Sequence, residues 1–273
     1  MTRIIHYSDL HLEFGIPFVL PDDSHADILI LAGDVITFTD HLPLIRMLER
    51  WSKPVLFVAG NHEYYTDTPM KDEAEKFKNL TKVIPNLTFL QDEYVTINDV
   101  NFFGGTMWTN FDYSNVESMT YAYSRMNDYR RIMIDEKSNL YPDYTVKLHN
   151  QFVEKLLEWF AMDLKGPRVV ISHHCPTAYK DSLYNRSGLM PAYNSLDMRP
   201  IIKEHQPNLW IHGHTHECLR DAIGKTTIMS NQRGYKFKYS FECEGFDPSG
   251  ALSIINNELN LIGMKTTFVK VSS

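Results

Sequence analysis

The sequence predicts an α/β fold in which two sheets pack face to face with helices outside them. Three observations lead there. Short apolar runs rich in branched aliphatics end repeatedly in Gly, Asn, Asp or His, the pattern of buried parallel strands. Amphipathic stretches lie between several of these runs, and that alternation implies crossover connections. A second group of strands, joined by turn residues, has no helices between its members and needs a partner sheet.

In chain order, Arg3 to Ser8, Ile28 to Ala32, Val55 to Ala59, Val169 to Ser172 and Leu209 to Ile211 are the predicted buried strands. Helices are expected over Leu42 to Trp51, where Asp40 is a plausible cap, and over Met70 to Leu80 and Tyr144 to Met162. Thr88 to Leu90, Tyr94 to Ile97 and Asn101 to Gly104 read as hairpin strands with Asn98-Asp99 turning. Lys225 to Met229, Ala251 to Ile255, Glu258 to Ile262 and Thr266 to Val271 repeat that style, with Asn256-Asn257 as a turn. No repeat or linker divides residues 1–273, so one domain is expected. A tyrosine-rich insertion around residues 107–147 interrupts it, bearing Trp108, Phe111, Tyr113, Tyr121, Tyr123, Tyr129, Tyr141 and Tyr144. Those aromatics either pack on the main body or wall the site.

A hydrophobic fraction of 43% over 273 residues supports a substantial core. A net charge of -7 argues against a broad basic face for nucleic acid, yet two divalent ions would add about four local positive charges, so an anionic substrate stays open. Cys175, Cys218 and Cys243 form neither a disulfide framework nor a Cys-x-x-Cys site. No apolar stretch approaches ~18 residues and no signal peptide is expected, so the expected setting is the cytoplasm, with no membrane partner.

The chemistry is concentrated at strand ends. His214 and His216 flank Thr215 after Leu209-Trp210-Ile211, and Gly213 is expected to permit the turn that lets both imidazoles reach one cavity. Four similar clusters precede them: Asp9-Leu10-His11, Gly33-Asp34, Gly60-Asn61-His62-Glu63 and Ser172-His173-His174. Taken singly, Asp9 with His11 is a turn cap beside a surface imidazole, Asp34 caps a loop, and Asn61 sits in a turn. All fall at the same end of predicted parallel strands, where ligands of α/β sheets collect. Strand alternation would put Asp9 and His11 on one side and Leu10 in the core. Two carboxylates, one amide and four imidazoles without thiolate suit manganese, iron, zinc, cobalt or nickel, with manganese expected.

Asp9-x-His11, Gly33-Asp34, Gly60-Asn61-His62-Glu63, His173 and Gly213-His214-Thr215-His216, in this order, resemble the calcineurin-like metallophosphoesterase superfamily. The motifs span about three quarters of the chain. The resemblance implies a four-layer α/β/β/α sandwich with a dinuclear site at the C-terminal ends of its strands. It implies that Asp9, His11, Asp34 and His216 hold one metal, while Asp34, Asn61, His173 and His214 hold the other. A hydroxide shared by the two would attack phosphorus in line. His62 fits the leaving-group acid, oriented by Glu63, or else a residue that positions ligands. His174 either supports a ligand or contacts substrate, and Arg130, Arg131 and Arg233 are candidate phosphate contacts.

Departures narrow the type. The protein Ser/Thr phosphatases continue Gly-Asp as x-x-Asp-Arg-Gly, whereas Gly33-Asp34 runs on as Val35-Ile36-Thr37-Phe38-Thr39. Only 57 residues follow His216, too few for the capping domain of the superfamily's DNA-repair nucleases. Ser230-Asn231-Gln232-Arg233-Gly234-Tyr235, Gly105-Thr106-Met107-Trp108-Thr109 and Asn127-Asp128-Tyr129-Arg130 resemble the small bacterial and phage-type branch. The expected activity is phosphodiester hydrolysis of small or nucleotide-like substrates, with nucleic acid a partner only as substrate. A phosphomonoesterase is the near alternative and a non-catalytic metal-binding scaffold the distant one. A two-metal peptidase would share the donors but lacks a His-Glu-x-x-His helix here.

Overall fold

The structure, a computed structural model, describes residues 1–178, 188–249, 251–255 and 258–262. In chain order its strands are β1 (Thr2–Tyr7), β2 (Ile28–Ala32), β3 (Val55–Val58), β4 (Leu87–Phe89), β5 (Glu93–Ile97), β6 (Val100–Gly105), β7 (Met133–Asp135), β8 (Ser138–Asn139), β9 (Arg168–Ser172), β10 (Leu209–His212), β11 (Arg220–Ile223), β12 (Thr226–Ser230), β13 (Ala251–Ile255) and β14 (Glu258–Ile262). One sheet has the order β14-β13-β1-β2-β3-β4 and the other β11-β12-β10-β9-β6-β5, while β7 and β8 form a small ribbon. β1 to β4 are parallel to one another, and so are β6, β9, β10 and β12. Antiparallel strands flank each parallel set.

Alternation along the strands divides the core into layers. Ile28 and Ile30 of β2 face inward to meet Leu209 and Ile211 of β10, while Leu29 and Leu31 face outward. The outward face of the first sheet packs under Leu44 and Leu48 of the helix Leu42–Leu48 and under Phe77 of the helix Met70–Thr81. On the second sheet, Phe103, Val170 and Trp210 pack under Phe152, Leu156 and Trp159 of the helix Pro142–Ala161 and under Ile202 of the helix Met198–His205. The result is helix, sheet, sheet, helix. Truncating a buried aliphatic such as Ile30 to Ala would cost about 2–5 kcal/mol.

Local chemistry sets the boundaries. The backbone N–H of Leu42 donates to Asp40 Oδ1 at 3.0 Å, but that helix stops at Leu48, short of Trp51. The helix expected from Tyr144 begins at Pro142, whose fixed φ suits a first turn. Asn98 and Asp99 both adopt positive φ and close the β5–β6 hairpin. Contrary to the hairpin expectation, β4 pairs in parallel with β3 in the other sheet, because the helix Met70–Thr81 returns the chain as a crossover. Asn256-Asn257 and Thr266 to Val271 lie outside the described residues. Among the described residues, no helix is long and apolar enough to cross a membrane.

Candidate metal centre

The C-terminal ends of β1, β2, β3, β9 and β10 converge at one edge of the sandwich, and the loops leaving them carry all seven expected donor side chains. Asp9, His11, Asp34, His214 and His216 have left-handed φ values of 51°, 46°, 52°, 70° and 50°. For non-glycine residues that conformation costs about 1–2 kcal/mol each. Asp9 and His11 therefore reach the site from a tight loop and not by strand alternation. Leu10 is buried in the core as expected. The loop is pinned by Asp9 N–H donating to Gly33 O at 3.0 Å and His11 N–H to Asp34 O at 2.9 Å.

Glycines make room for this crowding. At Gly33, with φ 86°, a Cβ would stand 2.4 Å from His173 Nδ1. Gly213 does not supply the expected positive φ; that falls to His214 and His216. Its role is close approach, since a Cβ there would lie 2.7 Å from Asp9 Oδ2.

Two donor groups meet at Asp34. On one side His11 Nε2 is 4.0 Å from Asp34 Oδ2 and 3.0 Å from His216 Nε2, which is 3.4 Å from Asp9 Oδ1. On the other, His173 Nε2 is 3.3 Å from Asp34 Oδ1, 3.1 Å from Asn61 Oδ1 and 3.2 Å from His214 Nδ1. The two carboxylate oxygens of Asp34 thus face different groups. His62 also offers a ring nitrogen within 4.8 Å of His11 and Asp34 donors.

The donors are oriented from behind. Glu13 Oε1 is 3.0 Å from His11 Nδ1 and 2.9 Å from His62 Nδ1. Glu242 bonds His216 Nδ1, and Ala32 O lies 2.9 Å from His173 Nδ1. Carboxylates face Nδ1 of both His11 and His216, which turns their Nε2 atoms toward each other at 3.0 Å, where a bound cation would reconcile them. Asn61 Nδ2 donates to Asp128 Oδ1 at 2.9 Å, which leaves Asn61 Oδ1 toward His173. The residues fit divalent metal: oxygen and imidazole donors converge, and no thiolate is among them.

Charge tells the same story. Burial disfavours the imidazolium of His173, but Asp34 outweighs it and lifts the group to about 9. Burial likewise opposes His216, which Asp9 and Glu242 lift to about 10. The two buried carboxylates demand positive charge between them.

Several expected roles are corrected. Glu63 does not orient His62. Its carboxylate accepts backbone N–H groups of Val35 and Ile36 on one oxygen and of Asp34 and Gly60 on the other, at 2.6–3.1 Å, tying two donor loops together. Burial, then the charge of Asp34, push it up to about 8, against the pull of the donated amides. His174 is buried beneath His214, ring centroids 4.2 Å apart, and does not line the cavity. Arg233 is buried and spends its guanidinium on the carbonyls of Leu10, Ile16 and Pro17. Arg130 donates to Ser124 O and lines a different cavity.

Above the donors lies a cavity of about 200 Å³. The tyrosine-rich segment contributes Arg125, Met126, Asn127 and Asp128 to its wall, but none of the aromatics expected there. Trp108, Phe111 and Tyr129 are buried in the core instead. The aromatic lining comes from Tyr65, Tyr193 and Tyr235. Tyr235 stacks on His11 with its hydroxyl 3.1 Å from His62 Nε2. Gln232 takes the His216 N–H at 2.6 Å and donates to Thr215 Oγ1, so the Ser230–Tyr235 segment serves as a brace. Sequence reading missed Glu13, Asp128, Glu242, Tyr65, Tyr193 and Arg125. The first stood two residues from His11, and Arg125 and Asp128 lay inside a segment already singled out.

The model of the calcineurin-like phosphoesterase family matches residues 2–218. Uncharacterized protein L509 of Acanthamoeba polyphaga mimivirus is 26% identical over 280 residues, covering 92% of this chain and 97% of that one. Human metallophosphoesterase domain-containing protein 1 is 26% identical over 256 residues, which is 84% of this chain and 65% of the human protein. Among solved structures, Phosphopantetheinyl Hydrolase from Mycobacterium tuberculosis aligns with TM-score 0.68 at 17% identity, over 87% of this chain and 93% of that one. At that identity the likeness concerns the fold.

Proposed function

This chain belongs to the calcineurin-like phosphoesterase family, and we propose that it hydrolyses phosphodiesters of small or nucleotide-like molecules, with two cations shared by Asp34. The observation that carries this reading is the position of Asp34, whose Oδ1 and Oδ2 face two separate donor groups. Asp9, His11 and His216 complete one group, and Asn61, His173 and His214 the other. Cations held there supply charge neutralisation at a phosphoryl group and acidify water, the usual chemistry of paired metals.

The remaining work belongs to side chains. His62, fixed at Nδ1 by Glu13, holds a proton at Nε2 for the departing oxygen. Tyr235, whose hydroxyl meets that nitrogen, is displaced or shared as substrate enters. Besides the imidazoles, Arg125 is the one cationic side chain on the cavity wall among the described residues, against the acids Asp128 and Glu242. A wall so short of positive charge suits the single charge of a diester better than the double charge of a monoester. The flanking tyrosines suit an apolar or planar ester group.

The experiment is turnover of bis-p-nitrophenyl phosphate against p-nitrophenyl phosphate by manganese-loaded protein. Preference for the diester in kcat/KM supports the reading; preference for the monoester replaces it with a phosphomonoesterase. Inactivity on both, in protein with full metal, would favour a non-catalytic scaffold.

A further inference from the structure

Tyr65 lines two cavities. One is the space above the donors; the other, of about 730 Å³, lies between the loop after β3, the helix Met70–Thr81 and the Arg130–Asn139 stretch. The Tyr65 ring is 4.4 Å from the His62 ring, and the Arg131 guanidinium sits 4.8 Å over the same tyrosine. Tyr65 is held in place by its hydroxyl, which donates to Asp128 Oδ1 at 2.5 Å. Tyr65, packed between His62 and Arg131, is therefore the wall that the two cavities share.

The second cavity is lined by two arginines that make no ion pair among the described residues, although Arg130 donates to Ser124 O. Among the described residues, the ion pairs made by Lys and Arg are Arg3–Asp27, Lys76–Glu73, Lys78–Glu93 and Lys165–Asp163. Arg130 and Arg131 are in none of them, although they are adjacent in sequence and both line this cavity. Lys76 and Glu73, also on its wall, neutralise each other, which leaves two arginines facing Asp67. In a chain of net charge -7 such a pair of neighbours is a local surplus. Guanidinium forks match the oxygens of phosphate, and the volume suits a nucleotide-sized group.

We propose that this cavity receives the leaving portion of the substrate and that Arg130 and Arg131 bind a second phosphate on it. The substrate class is then a diester with an additional terminal phosphate, such as a terminally phosphorylated dinucleotide. This deepens the phosphodiesterase reading and rests on His62 as proton donor. Water adds its oxygen to phosphorus, and the bond from phosphorus to the departing oxygen breaks with its electron pair on that oxygen. That oxygen takes the proton from His62, and the proton released by the attacking water restores His62 through solvent. The products are a phosphomonoester and an alcohol bearing the second phosphate, which leaves from the second cavity.

The test is the ratio of kcat/KM for dithymidylate with a terminal phosphate, at the 3′ or the 5′ end, to that for bare dithymidylate, using manganese-loaded protein. The ratio should exceed about 10 in the wild type and fall toward 1 in Arg130→Ala/Arg131→Ala, the loss expected for charged hydrogen bonds. Lys165→Ala, which removes a surface charge from the loop before β9, should leave the ratio unchanged. Hydrolysis of both compounds at equal efficiency, or a ratio insensitive to the arginines, overturns the second-phosphate site alone. Failure to hydrolyse any diester overturns the phosphodiesterase reading and this one with it.

Discussion

Glu13 holds His62 by a single oxygen: Oε1 lies 2.9 Å from His62 Nδ1 and, at 3.0 Å, also reaches Nδ1 of His11. One carboxylate thus fixes the tautomer of a metal donor and of the proposed proton donor together. Glu13→Gln should lower kcat by about 10–100-fold, the usual effect of removing a partner that orients a metal-bound imidazole. Steady-state kinetics with parallel metal analysis check it. Unchanged kcat at full metal would show that His62 needs no anionic support.

His62→Ala should keep its metal and lose about 10²–10⁴ in kcat, the span of general acid catalysis. Because His62 lies within reach of His11 and Asp34, metal content is the deciding readout. A parallel fall in bound metal would make His62 a ligand.

Gly33→Ala places a methyl group 2.4 Å from His173 Nδ1 at a φ of 86°. Left-handed strain of about 1–2 kcal/mol and overpacking of about 1–3 kcal/mol both oppose it. Chemical denaturation should show a loss of about 2–5 kcal/mol, and metal affinity should fall as His173 shifts. Wild-type stability in this variant would mean that the loop relaxes freely.

The sequence revealed the donors because each is written at the end of a recognisable apolar strand. Their backbone state was hidden: nothing in Asp9-Leu10-His11 announces left-handed φ at both outer residues. Glu63 misled because adjacency to His62 in sequence is not adjacency of side chains; its carboxylate turns back to cap the β2 loop. Arg233 misled for a related reason, since a guanidinium near a site serves backbone carbonyls as readily as phosphate. β11 escaped notice because it buries Asp221 and exposes Ala222, the reverse of the usual alternation. Glu242 lies outside every motif and reaches His216 through a loop closure that spacing does not encode.

The central claim is that Asp34 stands between two cation positions. Elemental analysis of manganese-saturated, dialysed protein measures it directly, alongside Asp34→Asn. Two manganese ions per chain in the wild type, with loss of metal and nearly all turnover in the variant, is the predicted result. A single ion per wild-type chain, or an Asp34→Asn protein that retains two, would contradict it.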